Sequence, residues 1–243
     1  MNKVAWYTLV FELTRRCNMA CAHCLRGEAQ NVDIDYAVID RVLENTLEIQ
    51  SLSFGGGEIS LNVEAMNYVL KRCKELCIPV YSFYFVTNGK NVSEEFLSSI
   101  LHWYAYAIEC GGDGEGCGLA LSKDQFHEAV PFRNEALLSA FSFSCKDKVQ
   151  DFSTRTLLNV GRAKTLVGYE KRELRPSDGY FSVAEEENSE GEAYLRVEDS
   201  TVYVGATGDV LSCCDCEYGD TRFKLTNCLK EEWIEDLKKL VTE

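Results

Sequence analysis

Along the first two thirds of the chain, two apolar periods alternate. Residues 7–13 are β-rich, with Leu9, Val10, Phe11 and Leu13 bounded by polar positions, and they predict a strand. Ile39, Val42, Leu43 and Leu47 then recur at helical spacing. Leu52–Phe54 predicts a short strand stopped by three glycines. Met66, Val69, Leu70, Cys73 and Leu76 form a helical stripe that ends before Pro79, with Cys73 and Cys77 expected as core thiols on its face. Val80–Val86 reads as a strand ending at Thr87-Asn88-Gly89. Ser93 with Glu94 and Glu95 is a helix N-cap with acid in the first turn, continued by Phe96, Leu97, Ile100 and Leu101. Further strands are expected over Tyr104–Glu109, Ala140–Ser144 and Thr156–Val160.

Six strand–helix repeats imply a parallel sheet, because each helix returns the chain for a right-handed crossover. The expected fold is α/β: a partial (β/α)6 TIM-like barrel with its chemistry on loops at the C-terminal ends of the strands. After about residue 166 the alternation stops, and Leu166–Gly191 is charged and poorly periodic. Val202–Val204, the turn Gly205–Gly208 and Val210–Leu211 then read as a β-hairpin. A terminal helix follows, with Trp233, Ile234, Leu237, Leu240 and Val241 as its apolar face. The expected division is a barrel core over 1–166, a connector over 167–195 and a small C-terminal β-hairpin-plus-helix appendage over 196–243.

Composition narrows the function. The 243 residues are 46% apolar, enough for one substantial core. No apolar run approaches the roughly 18 residues of a membrane span, and the N-terminal residues lack the pattern of a signal peptide. A cytoplasmic protein without a membrane partner is expected. A formal charge of −14 argues against nucleic acid as the main partner, since phosphates need a basic footprint. The acidic run around Glu185–Glu187, Glu190 and Glu192 reads as a solvated loop. Twelve cysteines in such a chain, several of them clustered, indicate metal or catalysis rather than disulfides.

Cys17, Cys21 and Cys24 have the spacing CxxxCxxC just after the first strand. A short loop with these intervals wraps three thiolates round one face of an iron–sulfur cube and leaves one iron open to a small-molecule chelate. Zinc held by Cys17, Cys21, His23 and Cys24 is the alternative, although structural zinc prefers other spacings. Gly55-Gly56-Gly57-Glu58 follows the second strand, where glycines allow close backbone approach and a carboxylate can accept from an ammonium. Asn88 sits in the turn that ends the third strand. Arg162, in Gly161-Arg162-Ala163, can pair with an acid or lie on the surface.

The placement of CxxxCxxC after the first strand, with His23 before its last cysteine and GGGE after the second strand, resembles the radical S-adenosylmethionine (SAM) superfamily. The resemblance implies that Cys17, Cys21 and Cys24 ligate a [4Fe-4S] cluster and that SAM chelates its fourth iron. It implies contacts to SAM from His23, Gly55, Gly56, Gly57, Glu58 and Asn88, with Arg162 facing the SAM carboxylate or a substrate acid. The family often has a serine or aspartate near the SAM ribose at the end of strand four; here Glu109 stands in that place. The implied activity is reductive cleavage of SAM to a 5′-deoxyadenosyl radical that abstracts hydrogen from a substrate. An electron donor such as flavodoxin or ferredoxin is the implied partner. The GRA segment and the tail lean toward a peptide or protein substrate. Because the chain enters strand one directly, such a substrate is expected to need a separate recognition partner or the tail itself. A small metabolite or nucleotide derivative is the alternative substrate, and a non-catalytic iron–sulfur or zinc-binding module the alternative class.

The tail, with Gly208-x4-Cys213, Cys214, Cys216 and Cys228, is similar to twitch or SPASM segments of that superfamily. Cys213, Cys216 and Cys228 are thereby candidate ligands of an auxiliary iron–sulfur cluster, with Cys110, Cys117 or Cys145 as sources of a missing ligand. The usual upstream cysteine is absent, so a cluster-free remnant acting as a lid is the other reading. Iron counting decides between them. Replacing Cys17, Cys21 and Cys24 together by alanine is expected to give a colourless protein after anaerobic reconstitution, and about four irons remaining would establish an auxiliary cluster.

Overall fold

The structure, a computed structural model, describes residues 3–145 and 156–241. Its centre is β1 (Val4–Thr14), in which ten of eleven residues are buried or half-buried. Four strands lie side by side in parallel: β1, β2 (Thr46–Gly56), β3 (Phe83–Thr87) and β4 (Gly118–Leu121). They are joined through α1 (Tyr36–Leu43), α2 (Val63–Glu75) and α3 (Glu94–Glu109). Alternation along the pleat decides which side chains do what. Leu9, Phe11 and Leu13 of β1 join Leu52, Phe54, Phe83 and Phe85 in the large core shared with the helices. Val10 packs instead with Tyr203 and Leu211 in a separate cluster.

Beyond β4, among the described residues, there is only a parallel bridge, Leu119 to Ser144. The segment Ala140–Ser144 is therefore not a full strand. After the short helix α4 (Phe132–Ser139), β5 (Leu157–Leu158) leaves the central sheet and pairs with β6 (Lys171–Arg172). Among the described residues the sheet stays open rather than closing to a barrel. Tyr104–Glu109 is helix, not strand: it completes α3, and the buried positions Phe96, Ile100, Trp103, Tyr106 and Ala107 keep the 3.6-residue period through it. The fourth strand lies further on, at β4.

The C-terminal part adds its own strands to the exposed edge of β1. β7 (Ser182–Glu187) and β8 (Ala193–Glu198) form a hairpin, and the start of β1 pairs with β8. β9 (Thr201–Val204) continues alongside β1 in parallel, then turns back through β10 (Asp209–Leu211) and β11 (Lys224–Asn227). The Glu185–Glu187 run thus belongs to a strand rather than a loop. α5 (Trp233–Lys238) closes this end with Trp233, Ile234 and Leu237 buried. No helix among the described residues is long and apolar enough to cross a membrane.

Cys73 is fully buried, as expected, but Cys77 is exposed. It holds φ at 53° just past α2. The Ile78 N–H donates to the Cys73 carbonyl at 2.9 Å and the Cys77 N–H to Lys74 at 3.2 Å, the pair of bonds that ends a helix in a Schellman motif. The position calls for a left-handed residue, and a side chain there is strained. Cys77→Gly is expected to raise the stability of the protein by about 1 kcal/mol, read as a higher urea midpoint at unchanged slope; an unchanged midpoint would show that the turn carries no strain.

Candidate functional site

The thiol loop is irregular from Arg15 to Asn31 and depends on its neighbours for shape. Its base is closed by Arg15 N–H to the Val32 carbonyl and Gln30 N–H to the Arg15 carbonyl. The glycine loop then docks on it main chain to main chain: Gly57 N–H donates to Thr14 at 2.7 Å and Glu58 N–H to Arg16 at 2.9 Å. A Cβ on Gly57 would stand 2.0 Å from the Arg16 carbonyl oxygen, and one on Gly56 2.2 Å from that of Thr14. Only glycine permits this approach. On the other side Gly161 sits against the carbonyls of Cys24 and Leu25, where a Cβ would come within 2.4 Å of each.

Glu58 is buried, and its carboxylate ties two strand ends together. It accepts from Ser60 N–H at 3.1 Å, Thr87 Oγ1 at 2.6 Å and Asn88 N–H at 2.7 Å. Asn88 in turn donates through Nδ2 to Asn18 Oδ1 at 2.8 Å and lies 3.9 Å from the Cys17 sulfur. Cys17, Cys21, Cys24, His23, Gly55, Gly56, Gly57, Glu58, Asn88 and Arg162 all line one cavity of about 430 Å³. It opens where the C-terminal ends of β1, β2, β3 and β4 meet.

Two expectations are corrected. Glu109 does not line this cavity. It is the last residue of α3, and Gly112 just beyond it packs on the Tyr81 carbonyl, before β3 begins, at the opposite end of the sheet. Because the fourth strand is β4, the residue that follows it into the cavity is Ser122. Arg162 lines the cavity, but its guanidinium is engaged by Glu28 at 2.6 and 2.8 Å and by the Cys21 carbonyl at 3.4 Å. With its own N–H on the Cys24 carbonyl, it braces the thiol loop.

The tail supplies the remaining wall. Arg26, half-buried, lies over the Tyr203 ring and donates to the carbonyls of Cys214 and Cys216, while Tyr218 N–H donates to the Arg26 carbonyl. This brings Cys214, Asp215 and Tyr218 to the cavity. The same hairpin separates the proposed auxiliary ligands. Cys228 pairs with Gly208 at one end of the β10–β11 ladder, and Ser212, next to Cys213, pairs with Phe223 at the other. Five strand steps of about 3.3 Å, roughly 16 Å in all, lie between them, and Cys228 is part of the main apolar core. Cys213 and Cys216 do meet: the hydrogen bond between their thiols lowers the first and raises the second. The three therefore do not converge on one cluster.

The donor set at the thiol loop fits a cationic iron–sulfur group. All twelve cysteines are free, and the three loop thiols are half-buried. Burial pushes Cys17 above its ordinary range, and burial with the charges of Cys17 and Cys24 pushes Cys21 to about 11. Thiols raised in this way ionise together only beside a cation that takes up their charge.

Residues 8–108 match the family model described as a 4Fe-4S single cluster domain. No curated protein matches the chain in sequence. In structure it is similar to native anSMEcpe with bound AdoMet and Cp18Cys peptide, at 13% identity and a TM-score of 0.54, over 98% of this chain and 82% of that one. The same protein with bound AdoMet alone gives 14% identity and a TM-score of 0.52, over 97% and 83%. The chain shares the fold of that protein. Streptococcus suis SuiB bound to precursor peptide SuiA is a more distant likeness, at 14% identity and a TM-score of 0.43, over 93% of this chain and 63% of that one.

Sequence reasoning missed Ser122, Arg26, Tyr218 and the pair Asp124 and His127. Ser122 was hidden by the misplaced fourth strand, and Arg26 and Tyr218 carry no local signal. Asp124 and His127, three apart in a chain with three histidines, were readable as a metal-ligand spacing. Within the cavity, Glu58 is the residue whose loss is felt before any ligand binds. Glu58→Gln puts an amide donor among N–H and O–H donors in a buried place, and is expected to cost about 1–3 kcal/mol in urea unfolding of the iron-free protein; an unchanged midpoint would show that the carboxylate does not hold the strand ends.

Proposed function

We propose that the protein is a radical SAM enzyme that modifies a peptide or protein. One observation carries the reading: three half-buried thiols, a glycine loop, Glu58, Asn88 and Ser122 share one cavity at the C-terminal ends of four parallel strands. That is where a parallel α/β sheet presents its chemistry.

When bound and reduced, the cluster supplies the electron that splits SAM into methionine and a 5′-deoxyadenosyl radical, which then takes hydrogen from the substrate. Cys17, Cys21 and Cys24 would hold it. Gly55 and Gly56 offer close main-chain approach to the SAM amino acid, and the second lone pair of the Glu58 oxygen facing Asn88 accepts from its ammonium. His23, through its backbone, and Ser122 would face the nucleoside, Ser122 in the ribose-facing place first assigned to Glu109. Arg162 and Arg26 keep the thiol loop in position without touching the reacting atoms. The tail lies over the cavity through Cys214, Asp215 and Tyr218, and excludes water from a radical that water-borne reductants would quench.

A peptide substrate is supported by the fold shared with anSMEcpe, whose structure holds AdoMet and a peptide. A flavodoxin- or ferredoxin-like donor would deliver the electron. The test is anaerobic reconstitution followed by dithionite and SAM. Release of 5′-deoxyadenosine and methionine in equal amounts is expected, and its loss in the Cys17/Cys21/Cys24→Ala variant. Iron-loaded wild-type protein that leaves SAM intact would overturn the reading.

A further inference from the structure

Beside the thiol loop, the cavity has a second group of metal-ligand type. His23, Asp124 and His127 each offer one atom, and these atoms lie within 4.8 Å of one another. His23 Nε2 is 3.5 Å from Asp124 Oδ2, and His127 Nδ1 is 2.7 Å from Asp124 Oδ1. Two imidazoles and a carboxylate round a zinc-sized ion, at bonds of about 2.0–2.1 Å and tetrahedral angles, stand roughly 3.3 Å apart. The His23–Asp124 spacing is close to that value, and the three ligand atoms together stay within 4.8 Å.

The group is built rather than incidental. The side chain of Asp124 is 5% exposed, that of His127 13% and that of His23 16%. Asp124 Oδ1 also accepts from the Phe126 N–H at 2.7 Å, which fixes the carboxylate. Phe126 stacks on the His23 ring at 4.7 Å and touches Tyr169, and His127 meets His23 edge-on at 5.3 Å. Supports of this kind orient metal ligands. Among the described residues no lysine or arginine forms an ion pair with Asp124. A cation held between a carboxylate so deeply buried and its two imidazole neighbours would offset its charge. His23 and His127 also line the cavity, so a remaining coordination position faces it.

We propose that His23, Asp124 and His127 form a second metal site, distinct from the cluster thiols, for a divalent first-row cation of the zinc class, with an open position toward the cavity. Three protein ligands of this type with one open place match a site that also takes a donor atom from a bound molecule. The inference does not depend on SAM cleavage.

Zinc is the probe. Cluster-loaded protein is exposed to one equivalent of zinc, dialysed and analysed for zinc and iron, with zinc-edge X-ray absorption on the same sample. About one zinc per chain is expected, with only nitrogen and oxygen neighbours near 2.0–2.1 Å, whereas thiolate would appear near 2.3 Å. Asp124→Asn and His127→Asn are each expected to weaken zinc binding at least tenfold, while Cys213→Ser/Cys216→Ser leaves it unchanged. Unchanged iron content and circular dichroism show that the variants fold, and the absorption measurement on wild type decides the question if they do not. Sulfur neighbours, no retained zinc, or full binding by folded Asp124→Asn and His127→Asn would overturn the proposal.

Discussion

The loop that carries Cys17, Cys21 and Cys24 has no regular structure, and hydrogen bonds from neighbouring main chain set its shape. Gly57 and Glu58 donate to Thr14 and Arg16 from one side, and Arg162 donates to Cys24 from the other. Both contacts run through glycine, because at Gly57 and Gly161 a Cβ would occupy the space of the partner carbonyls. The glycine motif is therefore first a docking surface for the thiol loop and only then a surface for a ligand. Anything that pushed the two loops apart would move three sulfurs at once.

Glu58 extends that constraint across the sheet. Its carboxylate accepts three hydrogen bonds from residues after β2 and at the end of β3, so neither loop moves independently. Asn88 passes the link on to Asn18, inside the thiol loop. A buried carboxylate without such donors would be costly; with them it becomes a rigid corner. The strand ends, rather than the strands, are what make the cavity a single site.

A half-buried arginine plays the corresponding part for the tail. Arg26 leaves the thiol loop, lies over Tyr203 and satisfies the carbonyls of Cys214 and Cys216. The tail is thus joined to the loop by charge-assisted hydrogen bonds. The separation of Cys228 from Cys213 follows from the antiparallel register of β10 and β11, which sends the two cysteines to opposite ends.

Local pattern was enough for the elements with a clean period. The strand at 7–13, the helix after Ser93 and the β-hairpin from Val202 to Leu211 were all legible, as were the cysteine spacing and the GGGE motif, because each is written in residues close together in the chain. Tyr104–Glu109 was misread because its tyrosines and isoleucine suit a strand in isolation, while the period that makes the segment helical began at Phe96. That error displaced the end of the fourth strand and put Glu109 where Ser122 stands. By itself the sequence determined which chemistry is present: three thiols at cluster spacing beside a glycine-rich acidic loop. Only the tertiary structure decided what those residues touch. Glu58 reaching Thr87, Arg162 reaching Glu28, Arg26 reaching the tail and His23 reaching Asp124 are contacts across 29, 134, about 190 and about 100 residues. Such contacts arise from how parallel strands bring their ends together, and a local period contains no record of them.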